Sequence, residues 1–168
     1  HQIYNISTSI AASRKIFDIS EDNIKNSMKK MRLKGRLEEI KSGKLKSLIC
    51  ENRLIIDGGH NINSAISISN WVKQQNEKVH LICGMMNDKP HKEFVNQFEN
   101  SVNSITLIDI PNQEGSISKE EFKKKLGNKN IHTAESIEES LLMNNKDENC
   151  IFLCAGSLYL AGAVLNLN

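Results

Sequence analysis

No stretch of this 168-residue chain approaches the roughly 20 consecutive apolar residues that a membrane span needs, so no membrane association is expected. The first residues lack the charged-then-apolar pattern of a signal peptide. Charge is nearly balanced, 22 Lys and Arg against 20 Asp and Glu, so no global field draws the chain onto nucleic acid or a lipid surface. There is no C-x-x-C and no matching metal-ligand pair among Cys50, Cys83, Cys150 and Cys154. All four lie within or beside apolar runs, which predicts buried free thiols in a reducing, cytoplasmic setting rather than a disulfide or zinc site. Two nucleotide signatures are also missing: there is no G-x-G-x-x-G and no complete G-x-x-x-x-G-K-S/T. The chain begins at His1 without Met and is expected to be a piece of something longer.

What is present is a central stretch, Leu54-Ile55-Ile56-Asp57-Gly58-Gly59-His60-Asn61-Ile62-Asn63-Ser64-Ala65. It reads as a buried strand, a glycine turn and a helix start. The apolar run ends on Asp57, which places a carboxylate at the strand's carboxyl end. Gly58 and Gly59 permit positive φ and close approach of another group. Ser64 or Asn63 is expected to cap a helix whose apolar residues Ala65, Ile68, Trp71 and Val72 fall at helical spacing. Ligands of open α/β sheets bind at the carboxyl ends of strands, so Asp57, His60 and Asn61 form a candidate site. An ordinary capped β-α turn is the competing reading.

Strand and helix patterns alternate on both sides of this stretch. His1 to about Lys34 reads as two helices: Ile6, Ile10 and Ala11 share a face, Ser20 caps a second helix, and Ile24, Met28 and Met31 form its stripe. Gly35 is expected to end that helix. Leu45, Leu48, Ile49 and Cys50 suggest a short strand joined tightly to Leu54–Asp57, hence an antiparallel edge. Strands are expected at Val79–Cys83, Ser104–Ile108, around Ile131 and at Cys150–Cys154, with helices between them and a last helix near Tyr159–Leu165. The pattern predicts an α/β fold: a doubly wound, mostly parallel Rossmann-like sheet with an antiparallel edge strand, preceded by a short helical segment.

Three more features carry chemistry. Met28 to Arg36 is strongly basic but lacks interleaved aromatics for base stacking, so a solvated helix end is favoured over nucleic-acid binding. Arg36 is either a surface residue or a guanidinium placed to meet a phosphate. Gly84-Met85-Met86-Asn87-Asp88-Lys89-Pro90 sets opposite charges before a helix, which by itself reads as a capped loop with an exposed ion pair. Gly156-Ser157 opens the last helix and either holds an anion on free N–H groups or simply lets the helix pack closely.

Taken together, these segments resemble one family. Asp57-Gly58-Gly59-His60-Asn61 followed by Ala65 is similar to the Asp-Gly-Ala-His-Asn signature of folylpolyglutamate synthase and dihydrofolate synthase, in the Mur ligase superfamily. His1-Gln2-x-x-Asn5, Gly35-Arg36-Leu37-Glu38, Gly84-Met85-x-x-Asp88-Lys89 and Gly156-Ser157-x-Tyr159-Leu160-x-Gly162 resemble four further family motifs in the same order. Gly59 stands where Ala is usual, Ile62 where Pro is common, and Pro90 replaces a second Asp.

The resemblance implies a domain plan: residues 1–34 as the helical tail of a central ATPase domain, 35–44 as an interdomain linker and 45–168 as the C-terminal glutamate ligase domain. It also implies a reaction. ATP phosphorylates a pteroate or folyl-glutamate carboxylate, and the amine of L-glutamate attacks the acyl phosphate to form an amide. The P-loop and the magnesium ligands are expected in an N-terminal domain outside this chain, so the cofactors are ATP and Mg2+ and the chain alone is expected to be inactive. By position, Asn5, Arg36 and Asp57 match nucleotide-contacting residues. His60 is the candidate catalytic residue facing the cleft, and Lys89 and Ser157 are candidates for the glutamate side. Implied partners are ATP, L-glutamate, dihydropteroate or folate, and the rest of a monomeric polypeptide. A peptidoglycan-precursor Mur ligase and a non-catalytic α/β nucleotide-binding module are the alternatives.

Overall fold

Apolar residues at helical spacing shape the first part of the chain. In the computed structural model, which describes residues 2–31, 33–127 and 131–168, α1 spans Gln2–Ile16 and α2 spans Glu21–Lys30. Ser20 caps α2 by accepting the Asn23 N–H at 3.2 Å. Ile6, Ile10, Ile24, Met28 and Met31 line a groove of about 630 Å³ between the two helices. α2 ends before Gly35: Met31 is already extended, and Gly35, at φ +63, belongs to a later turn. His1 of the first motif and Arg32 of the basic run lie outside the described residues. The chain divides into two compact units, residues 1–34 and 35–168.

The second unit is built on a six-stranded sheet of order β1-β2-β6-β3-β4-β5. Its elements are β1 Glu38–Ile40, α3 Lys44–Ser47, β2 Arg53–Asp57, α4 Ile62–Val72, β3 Lys78–Cys83, α5 His91–Asn96 and β4 Ser104–Leu107, then α6 Lys119–Leu126, β5 Ile131–Thr133, α7 Ile137–Leu142, β6 Cys150–Ala155 and α8 Leu158–Leu167. Only β1 runs antiparallel, pairing Glu38 with Ile56 and Ile40 with Leu54. The other four pairings are parallel.

Side chains of a strand alternate between faces, and here each face has its own core. Ile55, Leu81, Ile151 and Leu153 pack with Ala65 and Ile68 of α4, Phe94 of α5 and Phe122 of α6. Leu54, Ile56, Ile82 and Phe152 pack with Leu45 of α3, Leu141 of α7 and Leu160 of α8. Both faces of the sheet are therefore covered, which explains the nearly unbroken apolar strands. Among the described residues, no helix is long and apolar enough to cross a membrane.

Four local expectations need correction. The antiparallel edge exists, but it is Glu38–Ile40, within the stretch expected as a linker. Leu45, Leu48 and Ile49 instead belong to α3 and the turn after it, because their i, i+3, i+4 spacing puts them on one helical face. The α4 cap is Asn61, not Ser64 or Asn63. The Asn61 side chain accepts the Ser64 N–H at 2.9 Å, and the Ser64 hydroxyl accepts the Asn61 N–H at 3.1 Å. Gly58 and Gly59 are absent from the positive-φ positions; at Gly58 the freedom used is close approach, since the Leu158 side chain packs where a Cβ would stand and would have to move for one. Cys50, finally, is exposed, while Cys83, Cys150 and Cys154 are buried free thiols.

Candidate functional site

The register fixes where the site forms. Asp57, Ala155 and Cys83 stand side by side at the carboxyl ends of β2, β6 and β3. The loops that leave these strands start at one level, above the place where the chain returns from β5 to insert β6 between its neighbours. Such a switch point in an open parallel sheet leaves a crevice.

Asp57 is only 1% exposed. Its Oδ1 accepts the Gly59 N–H at 2.7 Å, and its Oδ2 accepts the Leu37 N–H at 2.9 Å. The Arg36 Nη1 lies 3.9 Å from Oδ1. Burial pushes the carboxyl pKa above its ordinary value, opposed by the two backbone donors and the Arg36 charge. Leu37 sits at φ +44, unusual for a residue with a branched side chain, and its bond to Asp57 helps to hold it there. The same turn is stitched further by the Gly58 N–H on the Gly35 carbonyl at 2.7 Å and the Gly35 N–H on Glu38 Oε2 at 2.7 Å. The Asp57 carboxylate thus binds the backbone turn that presents Arg36.

A cavity of about 300 Å³ opens beside this cluster, lined by His60, Met86, Asp88, Lys89, Ser157, Leu158 and Tyr159. His60 comes from the loop after β2, Met86–Lys89 from the loop after β3, and Ser157–Tyr159 from the start of α8 after β6. The His60 Nδ1 is 2.9 Å from the Gly58 carbonyl. A carbonyl only accepts, so Nδ1 is the donor. Lys89 Nζ meets Asp88 Oδ2 at 2.7 Å, which holds the Asp88 pKa below the usual carboxylate value. Ser157 caps α8, its Oγ accepting the Tyr159 N–H at 3.1 Å. Its hydroxyl proton remains free to donate.

The fold therefore gathers three of the sequence candidates, His60, Lys89 and Ser157, into one cavity, and joins Arg36 to Asp57. Asn5 belongs to the first unit; it is exposed on α1, and its carbonyl accepts from Ser9 Oγ at 2.9 Å. Of the other lining residues, Tyr159 belongs to the Gly156-Ser157-x-Tyr159-Leu160-x-Gly162 motif, while Leu158 fills its unspecified position and carries no signal in the sequence. Among the described residues, no group of three or more His, Cys, Asp or Glu is arranged to hold a metal ion.

Residues 35–158 match the family model described as Mur ligase, glutamate ligase domain. None of the curated proteins searched matches the chain. Similar solved structures include Escherichia coli FolC in complex with DHPP and ADP, at 21% identity and TM-score 0.73, covering 96% of this chain and 38% of that one. Mycobacterium tuberculosis folylpolyglutamate synthase complexed with ADP and AMPPCP matches at 16% identity and TM-score 0.73, covering 89% and 35%. The Thermotoga maritima folylpolyglutamate synthase matches at 21% identity and TM-score 0.68, covering 99% and 38%. The chain thus spans little more than a third of the length of the structures it resembles.

Proposed function

Because the chain belongs to the Mur ligase glutamate ligase domain family, we propose that it is the C-terminal part of an ATP-dependent ligase joining L-glutamate to dihydropteroate or folyl-glutamate. The observation that carries this is the convergence of His60, Lys89 and Ser157 in one cavity at the carboxyl ends of adjacent strands. A cation and a hydroxyl there suit a carboxylate of the incoming amino acid. The second ring nitrogen of His60, Nε2, suits its amine.

The reaction has two steps. ATP transfers its γ-phosphoryl group to the acceptor carboxylate, giving ADP and an acyl phosphate. The glutamate nitrogen then attacks the carbonyl carbon, the C–O bond to phosphate breaks, and inorganic phosphate leaves as the amide forms. The amine must lose a proton, and we assign that proton to His60 Nε2. Arg36, held by Asp57, would meet the nucleotide phosphates, and Asn5 on α1 would meet the adenine. ATP and its Mg2+ would be held mainly by the remainder of a longer polypeptide, since no complete G-x-x-x-x-G-K-S/T occurs in this sequence.

The test is a kinetic split in the complete enzyme. Lys89→Ala should raise KM for L-glutamate about tenfold, the scale of a lost charge-assisted hydrogen bond, with little change in KM for ATP. His60→Ala should lower kcat by roughly a hundredfold or more, as for loss of a general base. Wild-type glutamate kinetics in both variants would overturn the assignment.

A further inference from the structure

Asp88 and Lys89 reach the cavity from a loop, and something must hold that loop in place. Its core is a turn closed by the Lys89 N–H on the Met86 carbonyl at 3.2 Å. The same carbonyl lies 3.0 Å from the Nε2 of His91. A carbonyl has no proton to give, so His91 is the donor and carries its hydrogen on Nε2. The His91 backbone N–H also bonds the Lys89 carbonyl at 2.9 Å. One residue thus grips both ends of the turn.

His91 is itself fixed. It is 6% exposed, and its ring meets Phe122 of α6 edge-on, with centroids 5.1 Å apart. Phe122 is fully buried in the core below. The line of contact runs from the core through the imidazole to a carbonyl and then to the turn bearing the Asp88–Lys89 pair. Burial keeps the imidazole pKa below its ordinary value, so the neutral donor form is kept through the neutral range.

Resting on the ligase reading above, we infer that His91 is a positioning residue for amino-acid recognition: its Nε2–H anchors the Met86–Lys89 turn so that Lys89 meets the carboxylate of the incoming glutamate. His91 touches no reacting atom and acts only through that turn.

The test uses the complete enzyme and three substitutions. His91→Phe keeps an aromatic ring against Phe122 but has no donor. His91→Leu loses the donor with a different shape and serves if the Phe variant does not fold. His91→Gln places an amide N–H near the former Nε2. Loss of the donor should raise KM for L-glutamate about three- to tenfold, the scale of one buried hydrogen bond, with KM for ATP unchanged, and His91→Gln should recover most of it. A merely structural role would lower the thermal midpoint without moving the ratio of the two KM values. A folded Phe or Leu variant with unchanged KM for L-glutamate, or with both KM values raised alike, overturns the inference. Absence of glutamate-dependent ATP turnover in the wild-type enzyme would instead defeat the ligase reading itself.

Discussion

A buried carboxylate that serves as backbone glue behaves differently from one that faces solvent. Asp57 uses one oxygen for Gly59 and the other for Leu37, two N–H groups that otherwise have no acceptor there. Asp57→Asn removes a charge whose burial is unfavourable, yet its amide can accept only one of those bonds and turns a donor toward the other. A buried unsatisfied donor costs about 1–3 kcal/mol, so the variant should be less stable by that order. The pH dependence follows from the raised pKa. The folded state binds the Asp57 proton more tightly than the unfolded chain, so this stabilisation is full below the ordinary carboxylate pKa and is lost as pH rises through the folded-state value. The wild type's advantage over Asp57→Asn should therefore widen on acidification from pH 7 toward pH 4, as read by chemical denaturation. An unchanged or narrowing gap would show that the carboxylate is not desolvated as described. The position of Asp57 at a strand end was legible in the run Leu54–Asp57. Its bond to Leu37, 20 residues upstream, was not, because no local pattern encodes a side chain reaching back across a turn.

At the scale of elements, the sheet was legible wherever an apolar run was continuous, since a strand covered on both faces leaves little to confuse it. The short pieces at the front were harder. Glu38–Ile40 carries two acids and one apolar residue and shows no strand period, yet it pairs along β2. Leu45, Leu48 and Ile49 look like a strand when read as a cluster and like a helix when read by spacing, and the spacing prevails. The turn from β6 to α8 shows how tightly such junctions are set. Gly156 adopts φ +113, and a Cβ there would stand 2.8 Å from the Gly84 carbonyl oxygen and 2.9 Å from Cys83 Sγ. The first neighbour is backbone of the next strand's loop and cannot yield cheaply. Gly156→Ala should therefore cost at least about 2 kcal/mol, from the strained dihedral and the overpacking together. It should also displace Ser157, so glutamate KM in the complete enzyme should rise with the loss of stability. A variant as stable as wild type in denaturant would show that the turn can reshape freely.

For the whole molecule, the two units have unequal claims to independence. Both cores of the second unit are assembled from residues between Leu37 and Val164, with large side chains such as Phe94, Phe98, Phe122 and Phe152 fully buried. The first unit has two helices, no buried residue in α2, and large exposed apolar side chains at Ile3, Tyr4, Ile16 and Phe17. Two short helices rarely bury enough surface to offset the entropy of ordering them. Apolar side chains exposed together in this way mark a surface built to be covered, and we propose that the rest of a longer polypeptide covers it. Residues 35–168 alone should accordingly unfold cooperatively, with a thermal midpoint close to that of the 168-residue chain. The isolated 1–34 peptide should show no cooperative transition. Dye binding to exposed apolar surface should fall when residues 1–34 are deleted. On the proposed reading, the 168-residue chain should also show no glutamate-dependent ATP hydrolysis, because its sequence has no complete G-x-x-x-x-G-K-S/T. Turnover by the chain alone would place the whole reaction within these elements and defeat the division of labour argued here. A first unit that folds by itself would remove the reason for assigning its apolar face to the remainder of the enzyme.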